Sequence, residues 1–316
     1  MVGFLFLAAS AALLIVGAEL FAENAAGAGR RLGVSFVAVG LILAGAEPEE
    51  FVTAVTAAAR HHPGIGAGDA VGANVTMLTL VLGAACVIAP MQLGTRLRWY
   101  AAGAAIASGA TALALLGGIG RAEGVGLIVL YIVGLGIIWR AERQPPPLGE
   151  AVALAGDRDG GRDSERGRSP ALALLLVLAG VALMIIGGRL AVAGAERLTA
   201  ALHLADSAVG LTFVALATVA ELFALIWAAA RRNIDELALA GVLGSVLYNS
   251  TATMGATAII TPVSASGLIG PAIAATVLPV ALIILSPRRR LGRVAGAFLL
   301  AGYAAYVALI LEGHRI

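Results

Sequence analysis

The sequence predicts an all-α integral membrane protein of about ten transmembrane helices, arranged as two five-helix repeats of inverted topology. Three observations lead to this fold class: the composition, the number of apolar segments and the likeness of the two halves. Of the 316 residues, 60% are hydrophobic and 13% are charged. Soluble domains are about 45–50% apolar and about 25% charged, so a soluble fold is excluded.

The apolar segments are separated by charged, Gly or Pro residues. In the first half they predict helices over residues 2–24, 33–60, 66–90, 99–118 and 123–140. In the second half they predict helices over residues 171–198, 206–231, 237–261, 266–286 and 292–311. The stretch between the halves is rich in Arg, Asp and Gly, and it is too polar to enter lipid. We therefore expect a first repeat at 1–140, a polar cytoplasmic loop at 141–170 and a second repeat at 171–316.

The two halves carry acidic residues at matching places. Glu50 precedes Arg60 by ten positions, and Glu221 precedes Arg231 by the same ten. Each half has five predicted crossings, which is an odd number, so the second half must enter the membrane upside down relative to the first. Most of the 21 basic residues, all of them Arg, then fall on the side that holds the central loop. The positive-inside rule predicts a multi-pass protein of the cell membrane with its N-terminus outside.

Charged residues within apolar segments indicate function, because an ionised carboxylate in hydrocarbon costs several kcal/mol without a partner or a water-filled cavity. The second helix carries three acids, Glu47, Glu49 and Glu50, around Pro48. A proline within a helix removes a backbone hydrogen bond and kinks or breaks the helix. Glu47 and Glu50 are three residues apart and share one helical face, whereas Glu49 points elsewhere.

Further oxygen-bearing side chains occur in the third, seventh and eighth helices, namely Asp69, Asn74, Thr218, Glu221 and Ser245. Carboxylate, hydroxyl and amide oxygens without a Cys or a well-placed His are typical ligands of hard cations such as Ca²⁺, Mg²⁺, Mn²⁺ or Na⁺. Zinc is disfavoured. The sequence therefore predicts a cation site inside the bilayer.

These residues resemble the calcium/cation antiporter superfamily, the sodium/calcium exchangers in particular. Each of that family's inverted repeats carries Gly-Thr-Ser-Leu-Pro-Glu on a broken helix and Gly-Asn-x-x-Gly-Ser-Asn on the next. Residues 45–50 occupy the first motif here and residues 68–74 resemble the second. The second repeat is a fainter match, at residues 216–221 and 240–246. The resemblance covers nearly the whole chain.

The resemblance implies that Glu50 and Glu221 are the paired acids that bind the exchanged cation. The match to the motif leaves open, by one position, whether Glu49 takes the place of Glu50. It implies Asp69 and Thr218 as further ligands. A ligand role and a structural role are both open for the remaining candidates, Glu47, Glu49, Asn74 and Ser245. Other interpretations are an ion pair of Glu50 and Glu221 with Arg189, and a solvated helix end at the pair His61 and His62.

The motifs also depart from the family pattern. Ala46 and Ala217 stand where the family has Thr, Glu47 stands where it has Ser, and Gly241 stands where an acid or amide is frequent. Hydroxyl ligands for sodium are thus fewer and acids are more numerous. Because close carboxylates disfavour one another's ionisation, a divalent cation is expected to exchange against protons, or against fewer sodium ions than is usual.

The expected function is secondary active antiport of Ca²⁺ or a similar divalent cation against Na⁺ or H⁺ by alternating access. The alternative is a degenerate, non-transporting membrane protein that binds and senses cations. No enzymatic activity, catalytic residue or cofactor is expected, and the expected partners are the transported cations and the lipid bilayer. Nucleic acid and ATP are not expected partners, and a monomer is compatible with the sequence.

Overall fold

The computed structural model describes residues 2–31, 47–88, 90–93, 97–142, 170–220, 222, 235–285 and 290–313. These residues form ten helices and two short strands, which confirms the all-α fold. The first five helices are α1 (Val2–Arg31), α2 (Pro48–Ala59), α3 (Pro63–Ile88), α4 (Leu97–Leu115) and α5 (Arg121–Glu142). The last five are α6 (Pro170–Leu202), α7 (Asp206–Thr218), α8 (segments Asp235–Tyr248, Asn249–Thr253 and Met254–Ile260), α9 (Ile269–Leu285) and α10 (Arg293–Gly313).

Most helix boundaries lie within a few residues of the predicted ones, and three differ in informative ways. The first helix continues to Arg31, seven residues beyond the predicted end. The helix predicted over 33–60 begins at Pro48 in the described part, because proline starts a helix well but cannot donate within it. The helix predicted over 206–231 is described as far as Thr218. The predicted helical residues 33–46, 221 and 223–231 lie outside the described residues.

Three helices contain a single π turn: Met77–Val81 in α3, Gly210–Val214 in α7 and Asn249–Thr253 in α8. A π turn shifts the hydrogen-bond register by one residue and frequently occurs at functional sites. The turns in α3 and α8 begin at Met77 and Asn249, which are 172 positions apart.

The same spacing of 172 relates the rest of the two halves. Helix α5 begins at Arg121 and α10 begins at Arg293. The short strands β1 (Met91–Gln92) and β2 (Arg290–Leu291) pair antiparallel, with Met91 opposite Leu291. An isolated bridge joins Ile119 to Val263, and these are the counterparts of Leu291 and Met91 at the same spacing. Exchanging the two halves converts each of these contacts into the other, as expected for two repeats related by a two-fold axis.

Glycine pairs allow helices from opposite repeats to approach closely, at two contacts that are counterparts of each other. A Cβ atom at Gly255 of α8 would lie 2.6 Å from the carbonyl oxygen of Gly124 in α5. The counterpart contact joins α10 to α3, where a Cβ at Gly296 would lie 2.7 Å from the carbonyl oxygen of Gly83. Both distances are too short for a side chain, so these backbones are in direct contact.

Helices α1 and α6 pack against each other in antiparallel fashion, with contacts between Gly17 and Gly180 and between Gly3 and Gly194. Large apolar side chains such as Trp99 and Phe298 are exposed on the outside of the molecule, as expected for a surface in contact with lipid. Among the described residues, four helical stretches are by themselves long and apolar enough to cross a membrane: Val2–Phe21, Pro63–Ile88, Leu174–Leu202 and Arg293–Gly313. Many of the buried polar side chains, by contrast, belong to α2, α3, α7 and α8.

Candidate cation-binding site

Three acids meet at the N-terminus of α2. Glu47, Glu49 and Glu50 are 2%, 0% and 0% exposed, and each offers a carboxylate oxygen within 4.8 Å of the others. Glu47 directly precedes the helix, and Glu49 and Glu50 lie in its first turn. The backbone N–H groups of a first helical turn have no partner within the helix and favour negative charge, which offsets part of the repulsion among the acids.

A second buried carboxylate lies where α3 crosses α7. The crossing is close because Gly68 and Gly210 face each other, and a Cβ at Gly210 would lie 3.0 Å from the Cα atom of Gly68. One residue further along α3, Asp69 accepts a hydrogen bond of 3.0 Å from the hydroxyl of Thr218, the last residue of α7. Both side chains are buried. The two residues implied as additional ligands are thus in direct contact.

Helix α8 contributes hydroxyl groups from the opposite repeat. The hydroxyl of Ser245 donates a hydrogen bond to Oε1 of Glu47, which connects α8 to the acids of α2. The other oxygen of Glu47 is buried and has no hydrogen-bond partner among the described residues, and the same is true of Oδ2 of Asp69. These are acceptor positions of the kind that a cation fills.

The candidate Asn74 lies one and a half turns beyond Asp69 on α3. Its amide donates a hydrogen bond of 2.9 Å to the hydroxyl of Ser250 in the π turn of α8. Ser108 of α4 also contacts this hydroxyl, at 3.0 Å, and Thr111 donates to the backbone carbonyl of Ser250. The sequence analysis did not single out the two α4 residues, although their spacing of three places them on one helical face.

Glu221 lies outside the described residues, so its predicted ligand role stays a prediction. The spacing of 172 between the repeats indicates which acid of α2 is the counterpart of Glu221. Glu221 is 172 positions after Glu49, whereas Glu50 is 172 positions before Leu222. The assignment of Glu50 as the partner rested on the distance to Arg60 and Arg231. The spacing that relates the π turns and the strand contacts favours Glu49 instead.

The alternative interpretation, an ion pair with Arg189, finds no support in the structure. The Arg189 side chain is exposed on α6. A group of buried carboxylates is a site that an external cation can neutralise.

The histidine pair belongs to a different place in the fold, the corner between α2 and α3. His62 Nδ1 lies 2.8 Å from Oδ2 of Asp206, and Arg60 lies 3.1 Å from Oε1 of Glu196 on α6. His61 has a left-handed backbone, with φ of 64°, which reverses the chain between the two helices. These side chains are partly exposed and form polar contacts at a helix end, apart from the buried acids.

An inverted repeat with carboxylates buried at a helix N-terminus in the interior of a membrane protein is typical of secondary transporters. The family model described as sodium/calcium exchanger protein matches residues 2–140 and 172–312. The chain therefore belongs to the sodium/calcium exchanger family. It is a transporter and not an enzyme, as the resemblance of its motifs implied.

Known proteins support this assignment along the whole chain. CaxA of Alkalimonas amylolytica is 27% identical over 334 residues, which cover 99% of both chains. The sodium/calcium exchanger MaX1 of Methanosarcina acetivorans is 31% identical over 93 residues, which are 29% of this chain and 27% of that protein. A structure of the sodium-calcium exchanger NCX_Mj, soaked with Na⁺ and Sr²⁺, is similar with a TM-score of 0.63 at 23% identity, and it covers 98% of this chain and 99% of that chain. The structural likeness confirms the ten-helix fold.

Proposed function

We propose that this cation antiporter exchanges Ca²⁺, or a similar divalent cation, for Na⁺ or H⁺ by alternating access. The observation that carries the proposal is the buried group of Glu47, Glu49 and Glu50, whose carboxylate oxygens lie within 4.8 Å of one another in the interior of a chain of the exchanger family. Keeping several carboxylates ionised in the interior of a membrane protein is unfavourable unless a cation neutralises them. A divalent ion with oxygen ligands suits this set.

We assign the central ligands to Glu49 and Glu221, because the two acids are related by the spacing that relates the repeats. Glu50 and Glu47 supply further carboxylate oxygens from the same turn. The remaining ligands in this proposal are Asp69, Thr218, Asn74 and Ser245. Asp69 and Thr218 lie at the α3 and α7 crossing, and Ser245 reaches Glu47 from α8.

Charge neutralisation links binding to movement in this proposal. Without a cation the acids repel one another and hold water, so the carrier does not pass through an occluded state. A bound divalent ion, or the equivalent charge in Na⁺ or H⁺, neutralises the site and permits the change of access. Helices α1 and α6, which pack mainly on each other, are the elements that move over the site. The distribution of Arg supports an N-terminus outside the cell membrane.

The test is ⁴⁵Ca²⁺ uptake into proteoliposomes under an imposed sodium gradient or an imposed proton gradient. We expect uptake driven by one of the two gradients in the native protein and no uptake in Glu49→Gln or Glu221→Gln. Glu312→Gln is the matched control, because Glu312 is an exposed acid on α10, and it should transport like the native protein.

Two results would contradict the proposal. Uptake by Glu49→Gln and Glu221→Gln at the native rate would remove the two acids from the transport site. No uptake under either gradient, for Ca²⁺ as well as Sr²⁺ and Mn²⁺, would favour the non-transporting cation sensor, especially if Ca²⁺ still raised the temperature of unfolding.

A further inference from the structure

Four buried polar side chains meet where α3, α4 and α8 come together. They are Asn74 of α3, Ser108 and Thr111 of α4, and Ser250 of α8, and each is at most 2% exposed. Ser250 is the centre of the group, because its hydroxyl contacts Asn74 and Ser108 and its carbonyl accepts a hydrogen bond from Thr111. Ser250 lies in the π turn of α8, where the helical hydrogen-bond register is shifted.

The directions of these hydrogen bonds determine how the Asn74 amide is oriented. The Nδ2 group of Asn74 donates to the Ser250 hydroxyl, so Ser250 accepts at this contact. Its own proton is then available for the hydroxyl of Ser108. This chain of bonds holds the NH₂ end of Asn74 toward α8 and α4, and the carbonyl oxygen Oδ1 faces away from them.

Oδ1 of Asn74 is buried and has no hydrogen-bond donor among the described residues. A buried acceptor without a partner is unfavourable, so the fixed orientation of this amide is unfavourable unless something binds the oxygen. The position is suitable for an ion. Asn74 lies five residues after Asp69 on α3, and Ser250 lies five residues after Ser245 on α8, so their contact is about one and a half helical turns from Asp69 and from Ser245, which contacts Glu47.

The other repeat shows that the fold does not require this polar group. The counterparts of Asn74, Ser108, Thr111 and Ser250 at the spacing of 172 are Val246, Val280, Ile283 and Leu78. All four are apolar, and the π turn of α3, which contains Leu78, forms without a hydroxyl group at that position. The hydroxyls of α4 and α8 therefore serve something other than the formation of a π turn or the packing of these helices.

We propose that Ser108 and Ser250 are positioning residues, which orient the Asn74 side chain so that its carbonyl oxygen, and not its NH₂ group, faces the bound cation. This inference rests on the proposed function, since it concerns the same cation site. Thr111 supports the arrangement by holding the Ser250 backbone. Loss of either serine hydroxyl leaves the amide free to rotate and to present its NH₂ group to the ion.

The test measures Ca²⁺ affinity in two protein backgrounds, the native sequence and Asn74→Asp. The apparent dissociation constant is obtained from the rise in the unfolding temperature of the purified protein during titration with Ca²⁺. We expect Ser250→Ala to weaken Ca²⁺ binding by about tenfold and Ser108→Ala by somewhat less, because one hydrogen bond contributes about 1.4 kcal/mol or less. In proteoliposomes the same variants should raise KM for Ca²⁺ and leave the maximal rate within about twofold of native.

The second background is Asn74→Asp. A carboxylate has two oxygens and no NH₂ group, so either orientation presents an oxygen to the cation. In this background Ser250→Ala should therefore change Ca²⁺ affinity by less than about twofold. Thr257→Ala is the matched control, because Thr257 is a buried hydroxyl of α8 that donates to the backbone carbonyl of Thr253. It should bind Ca²⁺ like the native protein in both backgrounds.

An equal loss of affinity in the native and Asn74→Asp backgrounds would show a general structural role and overturn the inference. So would unchanged affinity in Ser250→Ala and Ser108→Ala. If the native protein binds Ca²⁺ without transporting it, the proposed function fails and the comparison of the two backgrounds still decides the role of the serines. If Ca²⁺, Mn²⁺ and Na⁺ all leave the unfolding temperature unchanged, the inference itself is overturned.

Discussion

The two repeats of this exchanger share one backbone plan but differ in the chemistry that they bury. Elements of the second half recur 172 positions after those of the first, including a π turn and a pair of strand contacts. The acids of the first half nevertheless have uncharged counterparts, as shown by the pairs Glu47 and Val219, Glu50 and Leu222, and Asp69 and Gly241. Glu49 alone among these acids has an acidic counterpart, Glu221.

The hydroxyl groups are distributed in the opposite way. Thr218 and Ser245 belong to the second repeat, and their counterparts in the first are both alanine, Ala46 and Ala73. The structure brings the two sets together, since Thr218 donates to Asp69 and Ser245 donates to Glu47. At these two contacts the first repeat thus supplies the acid and the second repeat supplies the hydrogen-bond donor.

The strongest test of this comparison separates Glu49 from Glu50. If the symmetric acid is the central ligand, Glu49→Gln should reduce the rate of Ca²⁺ transport by about 100-fold or more, because removing one charge from a buried ion pair costs about 3 kcal/mol or more. Glu50→Gln should have a smaller effect, because the counterpart of Glu50 in the second repeat is the uncharged Leu222. Initial rates of ⁴⁵Ca²⁺ uptake in proteoliposomes measure both.

Glu312→Gln serves here too as the exposed-acid control. The reverse ranking, with Glu50→Gln inactive and Glu49→Gln active, would show that the ion site does not follow the spacing of the repeats. The register implied by the distance from Glu50 to Arg60 would then be the functional one.

A smaller effect is expected from the glycines at which symmetry-related helices touch. Gly255→Ala would place a Cβ 2.6 Å from the Gly124 carbonyl oxygen, and Gly296→Ala would place one 2.7 Å from the Gly83 carbonyl oxygen. Each variant must separate two helices, and we expect a loss of about 1–3 kcal/mol in the free energy of unfolding, similar for both. Chemical unfolding in detergent, followed by tryptophan fluorescence, measures the loss.

The matched control for the glycines is Gly302→Ala on α10, where a Cβ would meet nothing within 4 Å. Alanine favours the helix, so this variant should be as stable as the native protein or slightly more stable. A large loss of unfolding free energy in only one of the variants Gly255→Ala and Gly296→Ala would mean that the two halves do not share the same close contact.

The ten helices could be predicted from the sequence because long apolar segments and short polar connections are unambiguous in a membrane protein. Pro48 identified the break before α2, and the contact of Asp69 with Thr218 joins two residues that the motifs had singled out separately. The partner of Glu221 was harder to choose, since a difference of one position does not change the composition of either helix. Ser108 and Thr111 carried no sequence signal, because single hydroxyls on an apolar helix are common between packed helices.

The smallest effect is expected at the corner between α2 and α3, which connects the first repeat to α6. Arg60 contacts Glu196 there at 3.1 Å, but their side chains remain 43% and 30% exposed. Water screens such a pair, so its coupling should be about 0.5 kcal/mol in a double-mutant cycle of Arg60→Gln and Glu196→Gln. Chemical unfolding at low and high salt measures this coupling, which should fall as the salt concentration rises. A coupling several times larger that salt does not change would mean that the corner is shielded from solvent. The polar contacts of α6 would then hold the two repeats together as firmly as the glycine pairs do.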